Sequence, residues 1–146
     1  MKRDELITAL KEYFQRKAEV HDVETACLYG SWAAGHPRPD SDVDVAVMFR
    51  KDRSDKELFD RVTTISLDLT RLLKLEVNVL HIDRELSKPM LHYNAIVHGV
   101  PVHQNDFETY GCLRLKAISM MEDFTIFGEK WRAELVRRRM EALHHA

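Results

Sequence analysis

The chain has 146 residues, the size of one ordinary domain and too few for two independent hydrophobic cores. Hydrophobic residues make up 45% and charged residues 32% of it, a balance that excludes a disordered or membrane-embedded chain. The formal net charge of -2 gives no general attraction to nucleic acid, so we expect no direct nucleic-acid binding.

Three further features predict a cytoplasmic protein. The N-terminal stretch MKRDELITALKEYF is charged and helically periodic, unlike a secretory signal. No apolar run approaches the roughly 20 residues that cross a bilayer, so we expect no membrane partner. Cys27 and Cys112 lie far apart in the sequence and lack metal-ligand spacing, which favours two reduced thiols.

Apolar periodicity predicts a series of helices and strands up to about residue 103. A stripe through Leu6, Leu10 and Phe14 indicates a first helix from about Asp4 to Ala18. The later elements are predicted as strands at Thr25–Tyr29, Asp42–Phe49 and Leu75–His81, helices at Asp55–Leu73 and Pro89–His98, a helix-capping Gly99, and an extended piece at Val100–His103.

The remaining residues predict a helical extension. Asn105 and Glu108 have the spacing of a capping box at a helix N-terminus. An apolar stripe then continues towards the C-terminus through Tyr110, Leu113, Ala117, Met120, Phe124, Phe127, Trp131 and Leu135. It fits one long helix or two helices broken near Gly128. We therefore divide the chain into a domain of residues 1–104 and an extension of residues 105–146 that packs on that domain or on a partner.

Two carboxylates share one face of the second predicted strand. Side chains alternate along a strand, so Asp42 and Asp44 point one way while Val43 and Val45 point the other. Neighbouring carboxylates repel each other unless a cation offsets them, and Mg²⁺ prefers such oxygen ligands. Glu76 adds a third carboxylate if its strand lies alongside. Three such groups can hold the two metal ions of an in-line displacement at phosphorus.

A Gly-Ser pair precedes this strand. A tight turn at Gly30 that opens a short helix at Ser31 aims backbone N–H groups and the Ser31 hydroxyl at a triphosphate. Gly-Ser, ten residues, then Asp-x-Asp is expected by chance in about one in a thousand chains of this length. The combination therefore predicts a site for a nucleoside triphosphate and magnesium.

The segment GSWAAGHPRPDSDVDVAV resembles the signature of the polymerase β-type nucleotidyltransferases, and the short chain with its LEVNVLHID strand is similar to the minimal nucleotidyltransferase (MNT) proteins. The resemblance implies an α/β fold of the α+β kind, a small mixed sheet flanked by helices. It also implies that Gly30 and Ser31 hold the triphosphate of ATP. Asp42, Asp44 and Glu76 then bind two Mg²⁺ ions and form the catalytic group, Glu76 standing where the family commonly has Asp.

The resemblance also implies a partner. MNT proteins typically occur with a helical HEPN protein, a toxin with ribonuclease character, and act as its antitoxin. The activity that the resemblance implies is transfer of AMP from ATP to a hydroxyl of the toxin, that of a tyrosine near the toxin's active site.

Two other functions remain open on the sequence. One is nucleotide transfer to a small hydroxylated molecule, although the 47 residues after Gly99 leave little room for a substrate domain. The other is a binding module that blocks its partner by contact alone. The apolar stripe of the extension has more than one explanation as well, since core packing, a partner surface and a homodimer contact all fit it.

Overall fold

The computed structural model describes residues 1–38 and 40–144, so the last two residues of the predicted extension lie outside it. Within this part the elements are α1 (Arg3–Lys17), β1 (Val23–Tyr29), α2 (Gly30–Ala34), β2 (Val43–Phe49), α3 (Asp55–Leu73), β3 (Val77–His81), α4 (Pro89–Val97), β4 (Val100–Gln104) and α5 (Phe107–His144). The predicted order is confirmed, with strand starts that differ by two residues at β1 and β3.

The four strands form one mixed sheet in the order β3-β2-β1-β4. β1 is antiparallel to both of its neighbours, whereas β2 and β3 are parallel and joined by the crossover helix α3. The register aligns Asp44 with Tyr29 on one side and with Asn78 on the other. The sheet therefore brings the end of β1 and the start of β3 to the carboxylates of β2.

Each face of the sheet carries its own hydrophobic core. Val43, Val45 and Val47 face a larger core built with α1 and α3. Ala46 and Met48 face a smaller core under α4 and the first turns of α5. The alternation predicted for β2 is confirmed, and it leaves Asp42 and Asp44 on the α4 side, at the end of the strand beyond that smaller core.

The cap expected from Asn105 and Glu108 is wrong. Asp106 caps α5 instead, because its carboxylate accepts the Glu108 backbone N–H at 3.3 Å and the Thr109 hydroxyl at 2.7 Å. The Asn105 side chain donates to Glu24 at 3.1 Å and accepts from Arg50 at 2.9 Å. The Asn105 side chain is therefore used in tertiary hydrogen bonds, which the local sequence does not reveal, and does not cap the helix.

α5 is one continuous helix rather than two. Tyr110, Leu113 and Ala117 are its buried residues, and the helix continues for 27 residues after Ala117. None of the helices in residues 1–38 and 40–144 combines the length and apolar character that spanning a membrane requires.

The prediction that Gly99 is needed as a helix cap is wrong, because Gly99 does not have the positive φ of a left-handed cap. A Cβ built there would lie 2.1 Å from the Ala95 carbonyl oxygen and 2.8 Å from that of Leu28. Glycine is therefore required by the close approach of β1 to the end of α4.

Gly99→Ala is expected to lower the free energy of unfolding by about 1–3 kcal/mol, because two backbone carbonyls must move apart. Gly111→Ala is the matched control, since a Cβ there meets nothing within 4 Å. It should raise the free energy of unfolding by about 0.5–1 kcal/mol through helix propensity. Urea denaturation of both variants measures this, and equal effects would contradict the contact.

Candidate active site

The Gly-Ser turn follows directly from the end of β1. Gly30 has a φ of 74°, a conformation that side chains disfavour, and it opens the five-residue helix α2. The half-buried Ser31 follows it as the second residue of α2. The predicted turn and short helix are thus confirmed as local structure.

Two long side chains hold α2 in place. Arg3 of α1 donates to the carbonyl oxygens of Trp32 and Ala33 at 3.2 and 3.1 Å. The buried Trp32 indole donates to the Ser41 carbonyl at 3.2 Å. The turn and the loop before β2 are therefore fixed to each other and to the N-terminal helix. No local sequence pattern points to Arg3, because its partners lie about 30 positions away along the chain.

The turn also contacts the carboxylate strand directly. A Cβ added to Gly30 would lie 2.4 Å from Asp44 Oδ2. The Asp44 carboxylate thus packs where any other residue would place its side chain. This contact joins the predicted triphosphate turn to the predicted metal strand, and sequence spacing alone does not reveal it.

The electrostatics of the carboxylate pair favour a cation. Burial raises the pKa of Asp44 above its usual value, a hydrogen bond from Asn78 opposes the rise, and the charge of Asp42 adds to it. The Asn78 amide also donates to Asp42 Oδ2 at 3.5 Å, so it lies between the two carboxylates. Across residues 1–38 and 40–144, neither carboxylate forms an ion pair with a basic side chain. A divalent ion fits this uncompensated pair of hard oxygen ligands.

Glu76 lies beside Asp42 at the start of the neighbouring strand. Its carbonyl oxygen accepts the Val43 N–H at 2.8 Å, and its side chain is exposed. Asn78, two positions on, is the residue level with Asp44. In the described part of the chain, no three His, Cys, Asp or Glu side chains form a group able to hold a metal ion. The role of Glu76 as a third ligand therefore stays a prediction.

The comparisons with known proteins bear on this geometry. The sequence profile of the family described as polymerase beta, nucleotidyltransferase, matches residues 8–108, more than two thirds of the chain. The chain belongs to this nucleotidyltransferase family. No curated protein sequence matches it.

Solved structures share the fold. A chain of a toxin-antitoxin complex with AMP-PNP aligns with a TM-score of 0.66 at 13% identity, over 86% of this chain and 98% of its own. A chain from a complex of tri-AMPylated Shewanella oneidensis HEPN toxin with MNT antitoxin aligns with a TM-score of 0.62 at 12% identity, over 89% and 98%. A protein classed as a minimal nucleotidyltransferase aligns at 0.53 with 27% identity, over 69% and 96%. The mixed-sheet nucleotidyltransferase fold expected from the sequence is confirmed.

Gly30→Ala is expected to abolish stabilisation by Mg²⁺ or Mn²⁺, because the added Cβ displaces the Asp44 carboxylate. The metal-dependent rise in melting temperature measures this. Gly35→Ala is the control, since Gly35 has a similar φ of 82° but nothing within 4 Å of an added Cβ. It carries the same backbone strain without the contact. Equal loss of the metal response in both variants would contradict a specific role for the Gly30–Asp44 contact.

Asp44→Asn is expected to stabilise the metal-free protein near neutral pH. Because folding raises the pKa of Asp44, the folded state favours its protonated form. The stability from that preference is complete below the ordinary aspartate pKa and is lost as pH rises through the raised value. The variant, which stays neutral, should therefore gain most above that range. Melting temperatures with a chelator from acidic to neutral pH measure this.

The exposed Asp60→Asn serves as the control for this experiment and should change little at any pH. A melting temperature of Asp44→Asn that stays at or below that of the wild type at neutral pH would contradict the proposed charge cost.

Proposed function

We propose that the chain is a magnesium-dependent adenylyltransferase that moves AMP from ATP to a hydroxyl of a HEPN-type toxin and thereby acts as its antitoxin. The observation that supports this proposal is the contact of Gly30 with Asp44, which puts the Gly-Ser turn, the proposed phosphate-binding element, against an uncompensated carboxylate pair. Structural relatives with AMP-PNP and with an AMPylated HEPN toxin support ATP and the toxin as substrates.

The residues have distinct roles in this proposal. Asp42, Asp44 and Glu76 would hold the magnesium, which supplies neutralisation of the triphosphate charge and a more acidic acceptor hydroxyl. Gly30 and Ser31 bind the triphosphate through backbone N–H groups and the Ser31 hydroxyl. Asn78 orients Asp42 through its amide, as supporting side chains do around metal ligands.

The transfer itself is an in-line displacement. The acceptor oxygen, a tyrosine oxygen in this proposal, forms a bond to the α-phosphorus while the bond to the β-phosphate oxygen breaks. Pyrophosphate leaves with the electron pair of the broken bond. The acceptor proton passes to the exposed Glu76 carboxylate, which returns it to solvent. The product carries an added adenylate with its negative charge.

Label transfer from α-labelled ATP tests the proposal. The purified protein, Mg²⁺ and the product of its neighbouring gene are incubated, and the intact mass of both chains is measured. We expect one adenylate or a multiple on the partner, and none with the double variant Asp42→Asn and Asp44→Asn, which keeps side-chain volume but removes the charges. That variant should fold normally by circular dichroism.

Two outcomes favour the other functions. No label on any protein despite a tight complex, together with neutralisation of the toxin by the double variant in cells, indicates a contact-only antitoxin. Turnover of ATP with a purified hydroxylated compound and no protein acceptor indicates a small-molecule nucleotidyltransferase. Either result would overturn adenylylation of the partner.

A further inference from the structure

The distal part of α5 exposes many large apolar side chains. Past Met121 the exposed set consists of Phe124, Ile126, Phe127, Trp131, Leu135, Val136, Met140 and Leu143. Met140 and Leu143 are 61% and 77% exposed although they lie in regular helix. Apolar surface of this extent on a soluble domain marks an interaction site.

The helix also needs cover to remain folded. The run Phe124 to Gly128, FTIFG, contains only aromatic, β-branched and glycine residues, all of which are weaker helix formers than alanine or leucine. Most of the stability of a protein helix comes from tertiary packing, and Ala117 is the last buried residue of α5. Packing against another chain would supply the missing stability.

One side of α5 combines apolar and charged residues in a regular repeat. We call it the 118–143 face, formed by Ile118, Met121, Glu122, Thr125, Glu129, Arg132, Val136, Arg139, Met140 and Leu143. Ile118, Glu129 and Met140 are spaced eleven residues apart, as are Met121, Arg132 and Leu143. An eleven-residue repeat gives about 3.67 residues per turn, close enough to the helical period for these residues to stay on one side of the helix, with a slight right-handed drift.

The N-terminal end of this face borders a groove. A cavity of about 350 Å³ lies between Tyr93 of α4 and the α5 residues Ile118, Met121, Glu122, Thr125, Ile126 and Glu129. Ile118 and Met121 are half-buried there. The groove is therefore apolar on its floor, and it has room for side chains from another helix.

The charges on the face are arranged with opposite signs at its two ends. Glu122 and Glu129 lie in the first half, whereas Arg132 and Arg139 lie in the second. In residues 1–38 and 40–144 none of these four forms an ion pair. By contrast, the side of α5 turned away from this face holds intrahelical ion pairs, such as Arg137 with Glu141 at 2.8 Å. The unpaired charges are therefore complementary to those on the same face of a second copy of the helix that runs antiparallel to the first.

We propose that α5 pairs antiparallel with α5 of a second copy through the 118–143 face. A two-fold axis between Lys130 and Trp131 brings residues at equal distances from that point level with each other. Ile118 then meets Leu143, Met121 meets Met140, and Thr125 meets Val136 of the second copy. Met140 and Leu143 of one copy thus enter the groove beside Tyr93 of the other.

The same axis pairs the charges. Glu122 comes level with Arg139, and Glu129 with Arg132, in each half of the dimer. Exposed ion pairs contribute little to affinity, so the apolar contacts stabilise the dimer while the charges fix its register. Of the exposed apolar set, Val136, Met140 and Leu143 lie on this face. The others on the opposite side of the helix take no part in this pairing, namely Phe124, Phe127, Trp131 and Leu135.

Sedimentation velocity of the full chain over a wide concentration range tests the proposal. We expect a reversible dimer, and we expect Met140→Glu to weaken it by about tenfold or more in Kd, since a charge enters an apolar groove. Phe127→Glu is the matched control, because Phe127 is similarly exposed on the same helix but outside the face. It should leave the dimer unchanged.

A charge exchange tests the register. Arg139→Glu should weaken the dimer by placing like charges level with each other, and adding Glu122→Arg to it should restore the wild-type affinity. Circular dichroism checks that α5 remains helical in every variant. A monomer at all concentrations, a dimer equally sensitive to Phe127→Glu, a failed rescue, or association only with a different protein would each overturn the proposal.

Discussion

The contact between Gly30 and the Asp44 carboxylate is the constraint on which the site depends. It fixes the distance between a turn that presents backbone N–H groups and a strand that presents two negative charges. Because Asp44 is half-buried beside Asp42, its ionisation is costly in the absence of a cation. The fold tolerates this cost at one end of a sheet whose remaining residues are well packed, as expected where function rather than stability selects the residues.

The rest of the domain keeps this constraint in place. Core residues of β2 are packed on both faces, so the strand that carries the carboxylates is rigid. Arg3 and Trp32 fasten the short helix α2 to α1 and to the loop before β2. A five-residue helix has little stability of its own, so these long-range hydrogen bonds define its position. Positioning of a site by supporting residues of this kind is typical of precise binding sites.

Much of the fold follows from local sequence patterns. The period of two in β2 predicts which side Asp42 and Asp44 face, and the structure confirms it, because a one-residue slip would bury both charges. The predictions that were wrong concern residues whose contacts lie far away in the sequence. Gly99 is required by the carbonyls of Ala95 and Leu28 rather than by a helix cap.

The site shows the same division between local and distant information. Gly30 and Ser31 are visible in the sequence because turn and spacing are local properties. The level pairing of Asn78 with Asp44 depends on strand register, which the sequence of one strand does not specify. The shared face of Asp42 and Asp44 follows from the strand itself, whereas the metal-binding role of Asp42, Asp44 and Glu76 stays a prediction.

A crystal structure of the protein with Mg²⁺ and a non-hydrolysable ATP analogue would show directly whether the Gly-Ser turn and the carboxylate pair form one site. We expect the triphosphate at the N–H groups of Gly30 and Ser31, and magnesium bonded to Asp42 and Asp44, with the contact between Gly30 and Asp44 retained. Glu76 would then be seen either in the metal shell or outside it. A triphosphate bound elsewhere, or magnesium that leaves Asp42 and Asp44 without a ligand role, would contradict a shared site at the Gly-Ser turn and the carboxylate pair.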